Sequence, residues 1–154
     1  MNAIPPPANG QAETVKKLFS RTTSVTIDIA ASRETVWALL TDVDGFKTWN
    51  TTILDLTGKI APGERVQLRS TLAPERTFKL KVKEFDPPHR LSWGDTMGTR
   101  VYTLFANSDG STRFTMTEKI GGPIFPLFAK MIPPFDDSFN QFARDLKTAA
   151  EEKA

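Results

Sequence analysis

The sequence predicts an α+β domain in which a seven-stranded, curved antiparallel sheet wraps around a long C-terminal helix, with two short helices between the first and second strands. Three observations carry this prediction. Between residues 52 and 120, apolar and polar residues alternate in short runs separated by turn residues, the pattern of an antiparallel meander. Phe135, Phe139, Phe142 and Leu146 recur at i, i+4, i+7 and i+11, one apolar stripe on a helix that needs a sheet to lie on. The first strand is followed by a helical stripe that Asp42-Val43-Asp44-Gly45 breaks in two. A sheet of that many strands twists, so it curls around the helix.

In chain order, residues 1–12 contain three consecutive prolines and read as an unstructured lead. Val15, Leu18 and Phe19 fall at i, i+3 and i+4, which makes 12–20 a short helix or the end of a tail. Residues 1–21 are therefore set apart from a domain spanning 22–150. Val25, Ile27 and Ile29 alternate with Thr26 and Asp28, a half-buried strand. Ser32 is an N-cap, with Glu34 in the first turn where the helix dipole favours an anion. Val36, Trp37, Leu39 and Leu40 form the stripe of this first helix, and Phe46–Trp49 forms the second. Strands follow at 52–58, 65–72, 77–85, 90–95, 99–107 and 112–120. Their breakers are Ala61-Pro62-Gly63, Ala73-Pro74-Glu75, Asp86-Pro87-Pro88, Met97-Gly98 and Asn107-Ser108-Asp109-Gly110. Gly121-Gly122-Pro123 ends the sheet, and Pro126, Pro133 and Pro134 interrupt the approach to the last helix.

Composition narrows the chemistry. The 154 residues fit one domain. Eleven Phe and three Trp against one Tyr leave most aromatic surface without a polar handle, so it calls for a dry core or a dry pocket. The absence of Cys removes disulfides, thiolate metal sites and Cys nucleophiles, and a single His removes His dyads. No metal or cofactor is expected. Twenty basic against eighteen acidic residues, net +2, give no argument for nucleic acid. No apolar run approaches the ~20 residues of a membrane span, and Met1-Asn2-Ala3-Ile4 does not begin a signal peptide, so the expected location is cytoplasmic.

Three stretches carry a resemblance. They are Ile29 to Asp42 followed by Phe46-Lys47-Thr48-Trp49-Asn50, Phe85 to Trp93, and Asp109 to Glu118 before Gly121-Gly122. In this order the chain resembles the START/Bet v1-like superfamily of helix-grip proteins, also called SRPBCC or polyketide cyclase/dehydrase and lipid transport. The resemblance covers roughly residues 22–150. It implies a deep cavity between sheet and C-terminal helix for an apolar or amphipathic molecule, and it places Phe46 and Trp49 at the cavity mouth.

Strand parity gives the inward faces independently. Leu68 and Ser70 share one with Val66, and Leu80 and Val82 share another with Phe78. Trp93, Phe114 and Met116 face the same side, Leu54 joins them from the first strand of the meander, and Tyr102 is ambiguous. Phe125, Phe128, Met131, Phe135 and Phe139 come from the helical side. Glu118 shares the parity of Met116, so it points inward and must find a partner such as Arg100 or Arg76, anchor a ligand, or move a proton. Glu118 and Tyr102 are the candidates for catalysis; His89, on a turn, is not.

A tight turn at Ala73-Pro74-Glu75 sets Arg69 opposite Lys79, Gln67 opposite Lys81 and Arg65 opposite Lys83. That basic outer face is either solvated or a weak contact for an anionic membrane surface. The expected function is binding or carrying a hydrophobic small molecule of lipid, isoprenoid, polyketide or aromatic type, by a monomer or homodimer. Two other readings stay open: a cofactor-free cyclase or dehydratase using the same cavity, and a co-chaperone-like interaction module with a solid core.

Overall fold

A computed structural model describes residues 8–154. The proline-led start, residues 1–7, lies outside the described residues. One antiparallel sheet carries β1 (Glu13–Lys16), β2 (Ser20–Ile29), β3 (Ile53–Gly58), β4 (Arg65–Ser70), β5 (Phe78–Asp86), β6 (Arg90–Gly94), β7 (Gly98–Ala106) and β8 (Thr112–Gly121). Its order is β1-β2-β8-β7-β6-β5-β4-β3, so consecutive strands from β3 to β8 are neighbours and β2 closes on the last of them. Helices α1 (Arg33–Thr41) and α2 (Phe46–Trp49) join β2 to β3. After β8 come the single-turn α3 (Phe125–Phe128), a 3₁₀ turn (Ala129–Met131) and α4 (Asp136–Lys153), which packs on β2 and α1.

The sheet has eight strands where seven were expected. The added strand is β1, where the sequence allowed a short helix. β2 presents an edge of unpaired backbone groups, and 13–16 pairs with it from Glu13↔Ser24 to Lys16↔Arg21. The hairpin closes through Lys17 N–H donating to Ser20 O at 2.8 Å. The Thr14 hydroxyl, bonded to Thr23 at 2.9 Å, donates to Asp136 at 2.5 Å, tying β1 to the start of α4.

α1 starts as its sequence dictates: Ser32 Oγ accepts from Thr35 N–H at 3.2 Å. Val36, Leu39 and Leu40 are buried on its inner face. α4 buries Phe139, Phe142, Ala143, Leu146 and Ala150. The Phe142 ring is the hub of the core, with centroids at 5.8 Å from Tyr102, 6.2 Å from Phe114, 6.0 Å from Phe46 and 5.9 Å from Trp49.

The β4–β5 register is two residues from that expected: Arg65 faces Lys81, Gln67 faces Lys79 and Leu68 faces Phe78. The connection is wide, with two successive turns (Ala73 N–H to Ser70 O at 3.2 Å, Arg76 N–H to Ala73 O at 3.0 Å). A shift of two preserves every inward face. It frees Arg69 from Lys79 and lets its guanidinium clasp Asp55 of β3, at 3.1 Å through Nε and 2.5 Å through Nη2.

Candidate functional site

A cavity of about 310 Å³ lies at one end of the sheet. One wall is the wide β4–β5 hairpin, with Leu68, Ser70, Leu72, Ala73, Arg76, Phe78 and Leu80. The second is Trp93 and the β6–β7 turn, including Asp95, Met97 and Gly98. Arg100, Glu118 and Ile120 form the floor, and Phe128, Met131, Ile132, Pro133 and Phe135 form the roof. The roof consists of the segment that prolines keep from being one helix. Arg21 clamps it to β2: the guanidinium donates to Ile132 O at 3.2 Å and Pro133 O at 2.8 Å and stacks 5.0 Å over Phe135. Met131 lines the cavity yet is 80% exposed, so the cavity reaches the surface there.

The floor holds the site's charges. Arg100 and Glu118 are directly opposed in the β7–β8 ladder, with Nε donating to Oε1 at 2.8 Å and the two side chains 12% and 18% exposed. The guanidinium also lies 5.0 Å from the Phe139 centroid and 5.9 Å from that of Phe142. Burial works against its charge, but Glu118 and the Tyr102 phenol outweigh burial and hold it above the usual arginine value. Among the described residues Glu118 accepts from Arg100 Nε, and both side chains line the cavity. Asp95 is occupied by accepting from Met97 N–H at 2.8 Å and Gly98 N–H at 3.0 Å, and Arg76 stacks 4.6 Å over Phe78.

The expected cavity residues divide. Leu68, Ser70, Leu80, Trp93, Glu118, Phe128, Met131 and Phe135 line the cavity. Tyr102 and Phe114 are buried in the core, stacked on Phe142, which fills the middle of the grip; Val82, Met116, Phe125 and Phe139 are buried in the same core. Phe46 and Trp49 sit against Phe142, 4.7 Å from each other, and form no part of the cavity mouth. Leu54 falls at a β-bulge between Ile53 and Asp55, so its neighbours Ile53 and Leu56 take the inward places. Tyr102 is 1% exposed, its hydroxyl has no hydrogen-bond partner, and burial pushes the phenol up to about 12 against the opposing charge of Arg100.

The sequence offers Arg100 as a partner for Glu118, and in the structure Arg100 lines the cavity as well. The tight turn at Asn107–Gly110 contained the signal: the ladder it starts, Ala106↔Thr112, runs back to Arg100↔Glu118. Met97, Ile132 and Pro133 lie in irregular chain, where parity says nothing, and Gly98 opens β7 without a side chain for parity to place. Among the described residues, no three His, Cys, Asp or Glu side chains form a group that could hold a metal ion.

The family model described as polyketide cyclase / dehydrase and lipid transport matches residues 20–151. The chain belongs to this family. Solved structures share its fold. A START superfamily protein from Mycobacterium smegmatis superposes with a TM-score of 0.65 at 16% identity, covering 86% of this chain and 99% of that one. A conserved protein of unknown function from Enterococcus faecalis gives a TM-score of 0.68 at 14% identity, covering 92% and 78%. A protein from Nitrosomonas europaea gives 0.66 at 16%, covering 90% and 98%. No curated protein matches the chain by sequence. Within this polyketide cyclase / dehydrase and lipid transport family, the chain has the START-like helix-grip fold, and no helix among its described residues is long and apolar enough to cross a membrane.

Proposed function

We propose that the protein binds one small apolar or amphipathic molecule in the cavity between the β4–β5 hairpin, the β6–β7 turn and the proline-broken roof. The observation that carries this reading is the cavity itself, walled by Leu68, Leu80, Trp93, Phe128 and Phe135 with one polar pair on its floor. Ligand sites are mostly apolar pockets with a few placed polar groups. A ligand burying roughly 200 Å² of apolar surface at about 25 cal/mol per Å² gains about 5 kcal/mol before the costs of binding; micromolar affinity needs about 8 kcal/mol net, so the polar anchor on the floor has to supply a further share. The terminal nitrogens of Arg100 would hold its polar end. Binding is favoured over proton-transfer chemistry because Tyr102 lies outside the cavity and Glu118 is committed to Arg100.

Titration with anilinonaphthalene sulfonate, an aromatic anion of suitable size, tests the reading. The protein should bind it saturably, with one site and blue-shifted emission. Leu80→Trp, which fills the cavity from its wall, should weaken that binding at least tenfold while leaving the unfolding midpoint near that of the parent. Equal binding by both proteins would contradict the reading.

A further inference from the structure

The end of the molecule at which the cavity opens also gathers most of the large apolar side chains exposed among the described residues. The β1–β2 turn, the β6–β7 turn, the end of β8 and the roof segment meet there. Gly122 N–H donates to Phe19 O at 3.0 Å and Gly121 N–H to Met97 O at 3.0 Å. A Cβ on Gly121 would lie 2.5 Å from Phe19 O, so the contact depends on glycine. Among the described residues seven large hydrophobic side chains are exposed, and five belong to this end: Leu18 at 69%, Phe19 at 54%, Ile124 at 57%, Leu127 at 83% and Met131 at 80%. Lone exposed apolar residues need no explanation, but a cluster of them marks an interaction surface.

The charges around this cluster are basic. Lys16 and Lys17 precede Leu18, Lys119 precedes the glycine pair, and Lys130 stands between Leu127 and Met131; all four are exposed. Lys83 and Lys119 line a shallow groove with Phe19 beside the cavity. Asp95, the acid of that groove, is engaged by backbone N–H groups. A second copy of the chain docked through this end would set lysines against lysines. An anionic bilayer meets both features at once, because apolar side chains enter the interface while lysines meet lipid phosphates.

We propose that this end docks on an anionic lipid bilayer, with Leu18, Phe19, Ile124, Leu127 and Met131 entering the interface inside a ring of lysines. The surface stands independently of cavity occupancy. Met97 and Met131 belong to both cavity and tip, so docking would also open the cavity toward lipid.

Co-sedimentation with vesicles of phosphatidylcholine containing about 30% phosphatidylserine, at about 50 mM and 500 mM NaCl, tests it. The parent should bind at low salt and release at high salt, and should ignore pure phosphatidylcholine. Lys16→Gln/Lys17→Gln should lower the partition coefficient on the order of 30-fold, from the contribution expected of each lysine near such a surface. Leu127→Ser should lower it at least tenfold. Lys79→Gln/Lys81→Gln, on the outer face of β5, should bind like the parent. Leu80→Trp should also bind, which separates this proposal from ligand binding. All variants change exposed or cavity-wall positions, and circular dichroism verifies their folding. Absence of binding at low salt overturns the proposal. So does loss of binding through Lys79 and Lys81 rather than Lys16 and Lys17, or a dimer broken by Leu127→Ser in place of vesicle binding.

Discussion

Removing the charge of Glu118 leaves Arg100 uncompensated on the cavity floor, and the structure sets the size of the effect. The pair is 2.8 Å apart with side chains 12% and 18% exposed, so water screens it little. At an effective dielectric of about 20, two unit charges 4 Å apart attract by about 4 kcal/mol. Breaking a fully buried pair costs about 3–5 kcal/mol. Two features reduce this figure: the cavity admits some water, and the Phe139 and Phe142 rings continue to face the guanidinium. Glu118→Gln should therefore destabilise by about 2–3 kcal/mol, lowering the urea midpoint by about 1–1.5 M at a slope near 2 kcal/mol/M. Arg100→Met/Glu118→Leu should recover most of the loss, because an apolar pair of similar volume avoids the desolvation of both ions. The same double variant should lose anilinonaphthalene sulfonate affinity, since the sulfonate would lose its anchor. A Glu118→Gln protein within about 0.5 kcal/mol of the parent would refute the reasoning, as would a double variant less stable than either single one.

Phe142→Ala removes the ring on which Tyr102, Phe114, Phe46 and Trp49 converge, and should cost about 3–5 kcal/mol in denaturant unfolding. A cost below about 1 kcal/mol would show that the core does not depend on that stack. Asp28 governs part of the acid limb. Its hydrogen bond with Arg113, opposed by burial and aided by Asn107 and the charges of Arg113 and Lys147, lowers its pKa below the ordinary 3.8. A lowered carboxylate contributes stability above its unfolded pKa and loses it as pH falls through the folded one. Asp28→Asn should thus flatten the fall in melting temperature below about pH 4 and leave the alkaline side unchanged; an unchanged acid limb would contradict the assignment.

Period and punctuation made most of the fold legible. The breakers at Ala61-Pro62-Gly63 and Asn107–Gly110 lie between the strands they were expected to separate, and the stripe of Phe139, Phe142 and Leu146 is the buried face of α4. Where the reading departed from the structure, the missing information was long-range. Val15, Leu18 and Phe19 fit a helical spacing, but the open edge of β2 decides their backbone, and that edge is remote from any local pattern. The β4–β5 slip is invisible to parity, since a two-residue shift leaves every side chain on its own face.

The site was legible in orientation but not in depth. Phe114 and Met116 face inward as their strand parity requires, and Phe139 as its helical stripe requires, yet they fill space rather than border it. Whether an inward side chain meets a ring or a void depends on Phe142, which arrives from another element. The empty volume lies instead beside the turns and the proline-broken segment, where backbones cannot pack as closely as on the sheet. Those segments carry no period from which their side chains could be placed.

Native mass spectrometry shows whether the cavity holds a ligand. The parent and Leu80→Trp would be incubated with an extract of the cell from which the sequence comes, repurified and sprayed under gentle conditions. The parent should carry one added small mass, released as an apolar or amphipathic molecule on collisional activation, and Leu80→Trp should fly as the bare chain. A bare parent, or the same added mass on both proteins, would contradict ligand binding in the cavity.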